Sequence, residues 1–349
     1  MSHLNPQNTQ PSETPATLIT SVTSVTSVTS DTLDHPTQKV QQTHPLQHKL
    51  ATVGQSNSYA RVLSIAGSDS GGGAGIQADI KTISALGCYA TTAITALTAQ
   101  NTLGVQSVNP VPSSFLGEQI KSVLDDIGTD SVKVGMFASV QNLELITALL
   151  KQYAVKQMVF DPVMISSSGT LLVDAIASDL NSRPQALRSL KEGVLSLMRL
   201  SALFTPNLSE VSFLLDKEVQ SIEDMKEAAS SLIALGANAV LIKGGHLLGA
   251  DKEVSAQVVD VFMDGGLTPV LMQSKRIVSS NLHGTGCTLS SAIASYLASG
   301  SNLIDAVRLG RGFLLKAIET GALASFNGAG PLNHGFAPAP LKIRASEGN

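Results

Sequence analysis

"RIVSSNLHGTGCTLSSAIASYLAS", residues 276–299, passes from a β-branched extended run, through His283-Gly284-Thr285-Gly286-Cys287-Thr288, into an apolar helical run. Strand, glycine turn and helix make the unit from which α/β folds are built. The first turn of a helix carries unpaired N–H groups at the positive end of its macrodipole. Glycines let that backbone approach an anion, so Gly284, Thr285 and Gly286 form a candidate phosphate or oxyanion cradle with the Cys287 thiol beside it. A tight strand-to-helix turn with Cys287 as a small buried hydrophobe accounts for the same residues equally well. The rest of the chain has to decide.

The alternation continues back along the chain. Short β-branched runs over Val62–Ala66, Ala90–Thr95, Val132–Val134, Met158–Pro162, Ala202–Thr205 and Ala239–Lys243 read as strands. Helical patterns lie between them at Ile76–Leu86, Ser113–Ile127, Asn142–Tyr153 and Glu223–Leu235. That spacing predicts a mostly parallel sheet with helices on both faces. Val258–Val278 breaks the rhythm, because two extended runs flank Asp264-Gly265-Gly266 as in a hairpin. Two helices follow, Cys287–Ser299 and Leu303–Ala324, with Gly300 placed to stop the first. One α/β domain over residues 59–349 is expected.

Composition narrows the class. Of 349 residues, 43% are hydrophobic, enough for a sizeable core. The balance of 23 Lys+Arg against 27 Asp+Glu, with no long basic run, leaves no footprint for nucleic acid or an anionic membrane. No apolar stretch reaches the roughly 18–20 residues that span a bilayer. The two cysteines, Cys88 and Cys287, match no zinc spacing and suit a reducing, cytoplasmic setting. Residues 1–58 differ from the rest: they contain "SVTSVTSVTS", lack arginine and have no apolar core of a signal peptide. They read as a disordered Ser/Thr-rich tail, because such a composition buries too little to offset ordering entropy.

In open α/β sheets ligands bind beyond the carboxyl ends of the strands, and the unusual residues of this chain follow its strands directly. "GSDSGGGAGIQAD" (67–79) lacks the Gly-Lys pair of a phosphate-binding Walker loop. Its Gly73-Ala74-Gly75 portion fits the relaxed dinucleotide fingerprint, but no acidic residue follows at the required strand end, which leaves a nicotinamide enzyme a weak alternative. Asp79 reads on spacing alone as a helix-start acid. "TPNLSE" (205–210) places Asn207 as an N-cap with Glu210 three residues on, a capping box that equally suits hydrated Mg²⁺. Lys243, at the end of an apolar strand, suits charge neutralisation on a transferring phosphoryl group, or a strand-end lysine that reaches out to solvent. Asp161, at another strand end, suits a turn cap or part of a metal site. A glycine cradle, a lysine, a carboxylate for Mg²⁺ and a proton acceptor together fit phosphoryl transfer without a P-loop.

At this point the chain resembles a known family. "AGSDSGGGAGIQADIKTISALG", "ITALTAQNTLGVQSV", "VKVGMF", "DPVM", "TPNLSE", "IKGGH", "HGTGCTLSSAIA" and "GAGPLNH", in order from about Arg61 to about Phe336, closely resemble the hydroxymethylpyrimidine/phosphomethylpyrimidine kinases of thiamine biosynthesis, in the ribokinase-like superfamily. The resemblance implies a three-layer α/β/α sandwich and a homodimer. It also implies ATP- and Mg²⁺-dependent phosphorylation of 4-amino-5-hydroxymethyl-2-methylpyrimidine, and then of its monophosphate to the diphosphate. It assigns Asp79 and Gln100 to recognition of the pyrimidine, with Met136 and Val163 as apolar lining. It assigns Gly284, Thr285, Gly286 and Cys287 to the anion hole and proton acceptor. Lys243 and Asn207 fall to the ATP phosphates, and Glu210 with Asp161 to the metal. Pyridoxal kinases are the nearest confusable relatives, and a non-catalytic pyrimidine-binding protein is the alternative of another class. The chain departs from the family where an Ala-Lys-Ser-Gly-Asp flap is usual and Ser166-Ser167-Ser168-Gly169-Thr170 stands, and at Ala329, where histidine is common.

Overall fold

Leu63 and Ile65 point into one core and Val62 into another, while the buried Ser64 between them bonds Asp79, the period-2 signature of a strand buried on both faces. The computed structural model describes residues 58–164, 183–245, 247, 256–266, 268–321 and 324–344, within a compact unit Val53–Asn349. The N-terminal tail up to residue 57, the flap Ser166–Thr170 and His246 lie outside the described residues.

The strands are β1 (Ser58–Tyr59), β2 (Arg61–Asp69), β3 (Tyr89–Asn101), β4 (Gly104–Pro110), β5 (Ser131–Val134), β6 (Met158–Phe160), β7 (Leu203–Phe204), β8 (Val240–Ile242), β9 (Gln257–Met263), β10 (Val270–Lys275) and β11 (Ile343–Arg344). The helices are α1 (Gly75–Ala85), α2 (Ser113–Ser122), α3 (Val140–Gln152), α4 (Arg183–Leu200), α5 (Leu208–Leu215), α6 (Ile222–Ala234), α7 (Thr285–Ala298) and α8 (Leu303–Gly321). A π-helical turn, Val123–Ile127, extends α2 to the limit expected from sequence.

Nine strands form one sheet in the order β10-β9-β8-β7-β6-β5-β2-β3-β4. The run from β8 to β3 is parallel, while β9, β10 and β4 join antiparallel at the margins. Because β9 reverses and β10 reverses again, β10 runs with the parallel set. Its exit into residues 276–284 therefore reaches the same edge as the exits of β2, β5, β6, β7 and β8. One face of the sheet packs Leu63, Val132, Phe160 and Phe204 against α2 to α6. The other packs Val62, Val159, Leu203 and Leu241 against α1, α7 and α8. Each fully buried side chain of this kind contributes roughly 1.5–3 kcal/mol. The three-layer α/β/α arrangement expected from sequence is the observed one.

The hairpin around Asp264-Gly265-Gly266 is present as β9 and β10. Gly300 closes α7, with its N–H donating to Leu297 and that of Ser301 donating to Tyr296. Several boundaries differ from expectation. The strand expected at Ala90–Thr95 runs on through Asn101, because Ala96–Asn101 pairs with β4, which local pattern did not reveal. Gln100 therefore stands on a strand rather than a loop. The extended run Arg276–Ser280 is irregular, since β10 ends at Lys275. The last long helix is described through Gly321, and Ala324, its expected end, is not helical.

Candidate active site

The strand order changes direction at β2, whose neighbours are β3 on one side and β5 on the other. Outside the carboxyl ends at such a switch the flanking loops part and leave a crevice. The segment after β2, residues 70–74, lies against the turn before α7. A Cβ on Gly284 would collide with the Gly73 carbonyl, and Gly284 itself adopts φ +85°. Only glycine fits there. The N-termini of α1 and α7 thus meet, and the backbone N–H of Gly75 favours the charged form of the Cys287 thiol. No side chain caps either helix. By contrast α3, α5 and α6 are capped by Ser139, Asn207 and Ser221. The donors that helix geometry leaves over in the first turn are therefore met by no capping side chain at the two termini that face the crevice.

Gly286 in the first turn of α7 sits over an ion pair. A Cβ there would stand 3.2 Å from Oδ2 of Asp161 and 3.5 Å from Nζ of Lys243. Lys243 reaches Oδ1 of Asp161 at 2.5 Å, and Ser290 of α7 donates to Oδ2 at 3.3 Å. Burial works against the charge of Lys243, but Asp161 and Glu210 outweigh it and hold the ammonium above its ordinary value. Glu210 is held by the capping box: its carboxylate accepts the Asn207 N–H at 2.7 Å, and Asn207 Oδ1 accepts the Glu210 N–H at 2.9 Å. Burial pushes Glu210 up to about 7, with Lys243 opposing and Asp161 adding to the rise. The Lys243–Asp161 pair and the buried Glu210 carboxyl, which influence one another electrostatically, form the floor of the site. Beneath Lys243, the Gly244 N–H donates to Asp260 at 2.9 Å, and Asp260 is itself paired with Arg311 at 2.8 Å.

Cys287 does not behave as a helix N-terminus alone would dictate. Burial pushes its thiol up to about 11, the Lys133 charge opposes this, and Asp79 and Asp161 add to it. The resting side chain is a thiol at neutral pH.

The apolar positions assigned from sequence come together: Met136 and Val163 pack with Ala96, Ala138 and Val108 in one small cluster. Gln100 stands beside the α7 turn, its side-chain amide 3.0 Å from Nε2 of His283. Asp79, in α1, is engaged by side chains from other elements. Its carboxylate is fully buried and takes Lys133 Nζ on both oxygens at 2.9 and 2.8 Å. Ser64 Oγ and Ser291 Oγ add one further bond to each oxygen at 2.6 Å. Each oxygen thus has two partners within the protein, and Asp79 tethers α1, β2, β5 and α7. The sequence reading missed its partner Lys133, although a lysine between Val132 and Val134 on an apolar strand was a signal for a buried pair. It also passed over Asp69 and His283 as site residues, and over the Asp260–Arg311 brace.

Fold and site together define a small-molecule kinase of the ribokinase-like kind. Residues 69–333 match the family model described as phosphomethylpyrimidine kinase, and the chain belongs to that family. It is 42% identical over 277 residues to the hydroxymethylpyrimidine/phosphomethylpyrimidine kinase of Rhizobium meliloti, covering 79% of this chain and 97% of that one. It is 43% identical over 283 residues to the thiamine biosynthesis bifunctional protein ThiED of Geobacter sulfurreducens, covering 81% of this chain and 54% of that protein. The chain thus spans about half the length of such bifunctional relatives. Among solved structures, an ADP complex of Bacillus subtilis pyridoxal kinase superposes with TM-score 0.68 at 34% identity, covering 79% of this chain and 98% of that one.

Proposed function

We propose that this chain transfers the γ-phosphoryl group of ATP to the hydroxymethyl oxygen of 4-amino-5-hydroxymethyl-2-methylpyrimidine, and then a second phosphoryl group to the resulting monophosphate. The observation that carries this reading is the uncapped N-terminus of α7 lying against the Lys243–Asp161 pair, with the Cys287 thiol on the same turn. Family membership supplies the substrate class.

In each transfer the substrate oxygen forms the new bond to phosphorus, the bond to the bridging oxygen of ATP breaks, and ADP leaves. The N–H groups of Thr285, Gly286 and Cys287 receive the phosphoryl oxygens, as helix N-termini do for anions. Lys243 offsets charge on the same group. Asn207 and Lys243 face the ATP phosphates. Cys287 accepts the proton of the alcohol in the small fraction that is thiolate, which the Lys133 charge makes reachable. Loose phosphoryl transfer relies mainly on positioning and charge. Met136 and Val163 hold the ring, and Gln100 reads its polar edge.

The residues present fit Mg²⁺. Glu210 and Asp161 are both buried; burial first, and the Asp161 charge after it, disfavour the Glu210 charge although Lys243 opposes the rise, so a further cation would be welcome there. Among the described residues no cluster of three or more His, Cys, Asp or Glu could hold a metal, so these two carboxylates would hold a hydrated ion, the mode usual for Mg²⁺. When bound, the ion supplies further neutralisation of phosphate charge. A homodimer, as the family resemblance implies, and a cytoplasmic setting complete the reading. Two free thiols suit a reducing compartment, and no helix among the described residues is long and apolar enough to cross a membrane.

The test is ATP consumption with the hydroxymethylpyrimidine, its monophosphate and pyridoxal in parallel. Turnover of both pyrimidines above pyridoxal supports the reading. The likeness to pyridoxal kinase makes pyridoxal the second reading, and turnover of pyridoxal alone would replace the first with it.

A further inference from the structure

Asp69, His283 and Gln100 meet at one ring nitrogen. Nε2 of His283 lies 3.0 Å from Oδ2 of Asp69 and 3.0 Å from the Gln100 side-chain amide. Asp69 is buried and also accepts the backbone N–H groups of Gly71, Gly73 and Ala74 at 2.8, 3.0 and 2.8 Å. Burial alone would raise its pKa, but the His283 hydrogen bond and those from Ala74 and Gly71 outweigh it and hold the carboxyl below its ordinary value. An ionised carboxylate only accepts, so the proton between Asp69 and His283 sits on Nε2. A protonated Nε2 has no lone pair to offer. The Gln100 atom facing it is therefore the amide oxygen.

The other end of the amide gives the same answer independently. Thr98 Oγ1 lies 2.9 Å from the Ser68 carbonyl oxygen, which can only accept, and 3.3 Å from the Gln100 amide atom placed as Oε1, with Nε2 placed towards His283; the partners at both ends call for the opposite placement. The single hydroxyl proton goes to Ser68, at the shorter distance. Towards Gln100 the hydroxyl can then only accept, so the atom there is the amide nitrogen. The oxygen and nitrogen of an amide exchange places by a half-turn, and the hydrogen-bond partners decide which stands where. Here two partners, on the α7 turn and on β3, demand one orientation.

We propose that His283 is a specificity-determining positioning residue: by donating to Asp69 and drawing the Gln100 carbonyl towards itself, it locks the amide so that one acceptor and one donor face the ligand in fixed order. The reading of Gln100 as the pyrimidine's contact underlies this. A 4-aminopyrimidine edge offers an amine donor beside a ring-nitrogen acceptor. Its 4-oxo counterpart offers an oxygen acceptor beside a ring N–H donor, the reverse order. A free amide meets either edge by turning over. A locked amide meets one, and leaves two buried polar groups unpaired against the other.

The experiment compares kcat/KM for 4-amino-5-hydroxymethyl-2-methylpyrimidine and its 4-oxo counterpart in the full-length chain. His283→Phe removes the donor and frees the amide, so the preference for the amino compound should fall about tenfold or more. His283→Gln can place an amide nitrogen where Nε2 stands and should keep most of the preference. Equal losses for both compounds in His283→Phe, with the preference unchanged, would overturn the lock. If that variant melts below assay temperature, Thr98→Val reads the other end of the same amide: a fallen preference supports the lock and an unchanged one overturns it. Gln100→Ala separates this inference from the reading beneath it. An unchanged pyrimidine KM there removes Gln100 from the ligand and the lock with it, whereas a raised KM with an unchanged preference in His283→Phe removes the lock alone.

Discussion

Nζ of Lys133 stands 2.8 Å from Oδ2 of Asp79, and neither side chain has any exposure to solvent. The pair lies under the junction of α1 and α7, the two helices whose N-termini face the crevice. Ser291, one turn below Cys287, donates to the same carboxylate. An ammonium and a carboxylate buried in this way stabilise little as a unit, but each is costly without the other.

Removing one partner should therefore cost more than removing both. Lys133→Met is expected to destabilise the fold by roughly 3–5 kcal/mol, because it leaves an unpaired buried carboxylate. The double variant Lys133→Met with Asp79→Asn should recover part of that. Denaturant unfolding of the two variants checks it, and additive losses would show that the residues do not act as a pair.

Cys287 is expected to show itself in the pH profile. With the thiol pushed up to about 11, the thiolate fraction rises tenfold per pH unit through the neutral range. Turnover limited by proton acceptance should climb from pH 7 towards 9, and alkylation by iodoacetamide should follow the same slope. Cys287→Ala should lose about 10²–10⁴-fold in kcat and flatten the profile, since that is what a positioned base contributes. Cys287→Asp should regain part of the loss. A steep profile surviving in the alanine variant would assign it to another group.

Gln100→Ala should weaken pyrimidine binding about ten- to a hundred-fold and leave the KM for ATP nearly unchanged. A shift confined to ATP would mean that the two subsites had been interchanged.

His334 sets an acid limit on stability. Burial pushes it down to about 4, Lys81 adds to the depression, and its Nε2 lies 2.9 Å from Thr288 Oγ1 in α7. The unfolded chain binds this proton near 6.5 and the folded protein near 4, so the unfolded state holds more protons between those values. Stability present above pH 6.5 should thus be lost as pH falls towards 4, on the order of 3 kcal/mol in all. His334→Gln should remove that part of the slope in a pH series of thermal midpoints.

Deleting the expected tail 1–58 short of Ser58, which pairs with Arg344 in β1, should leave the thermal midpoint and turnover nearly unchanged, because the composition of residues 1–57 cannot build a core. A large loss of either would mean that the segment docks on the kinase fold.

Much of this was legible in the chain. Glycines at 284 and 286, the Asn207–Glu210 capping box, the hairpin at Asp264-Gly265-Gly266 and the alternation of Val62 to Ile65 are local devices. Each works through neighbours a few residues away, so sequence alone determined an α/β sheet with its chemistry on one edge and a helix turn built for an anion. Only the tertiary structure decided what depends on residues far apart. Asp79 reads on spacing as a helix-start acid, and nothing local announces its buried bonds to Lys133, 54 positions away, and Ser291, 212 away. β3 reads as ending at Thr95 until β4 pairs with it and carries Gln100 on a strand. The helix N-terminus favours a thiolate at Cys287, whereas desolvation of this half-buried thiol, with the Asp79 and Asp161 charges nearby, holds the proton on. Hydrogen-bond saturation, strand pairing and desolvation are properties of the packed molecule, set by which distant side chains the fold brings within a few ångströms, and local pattern carries no record of them.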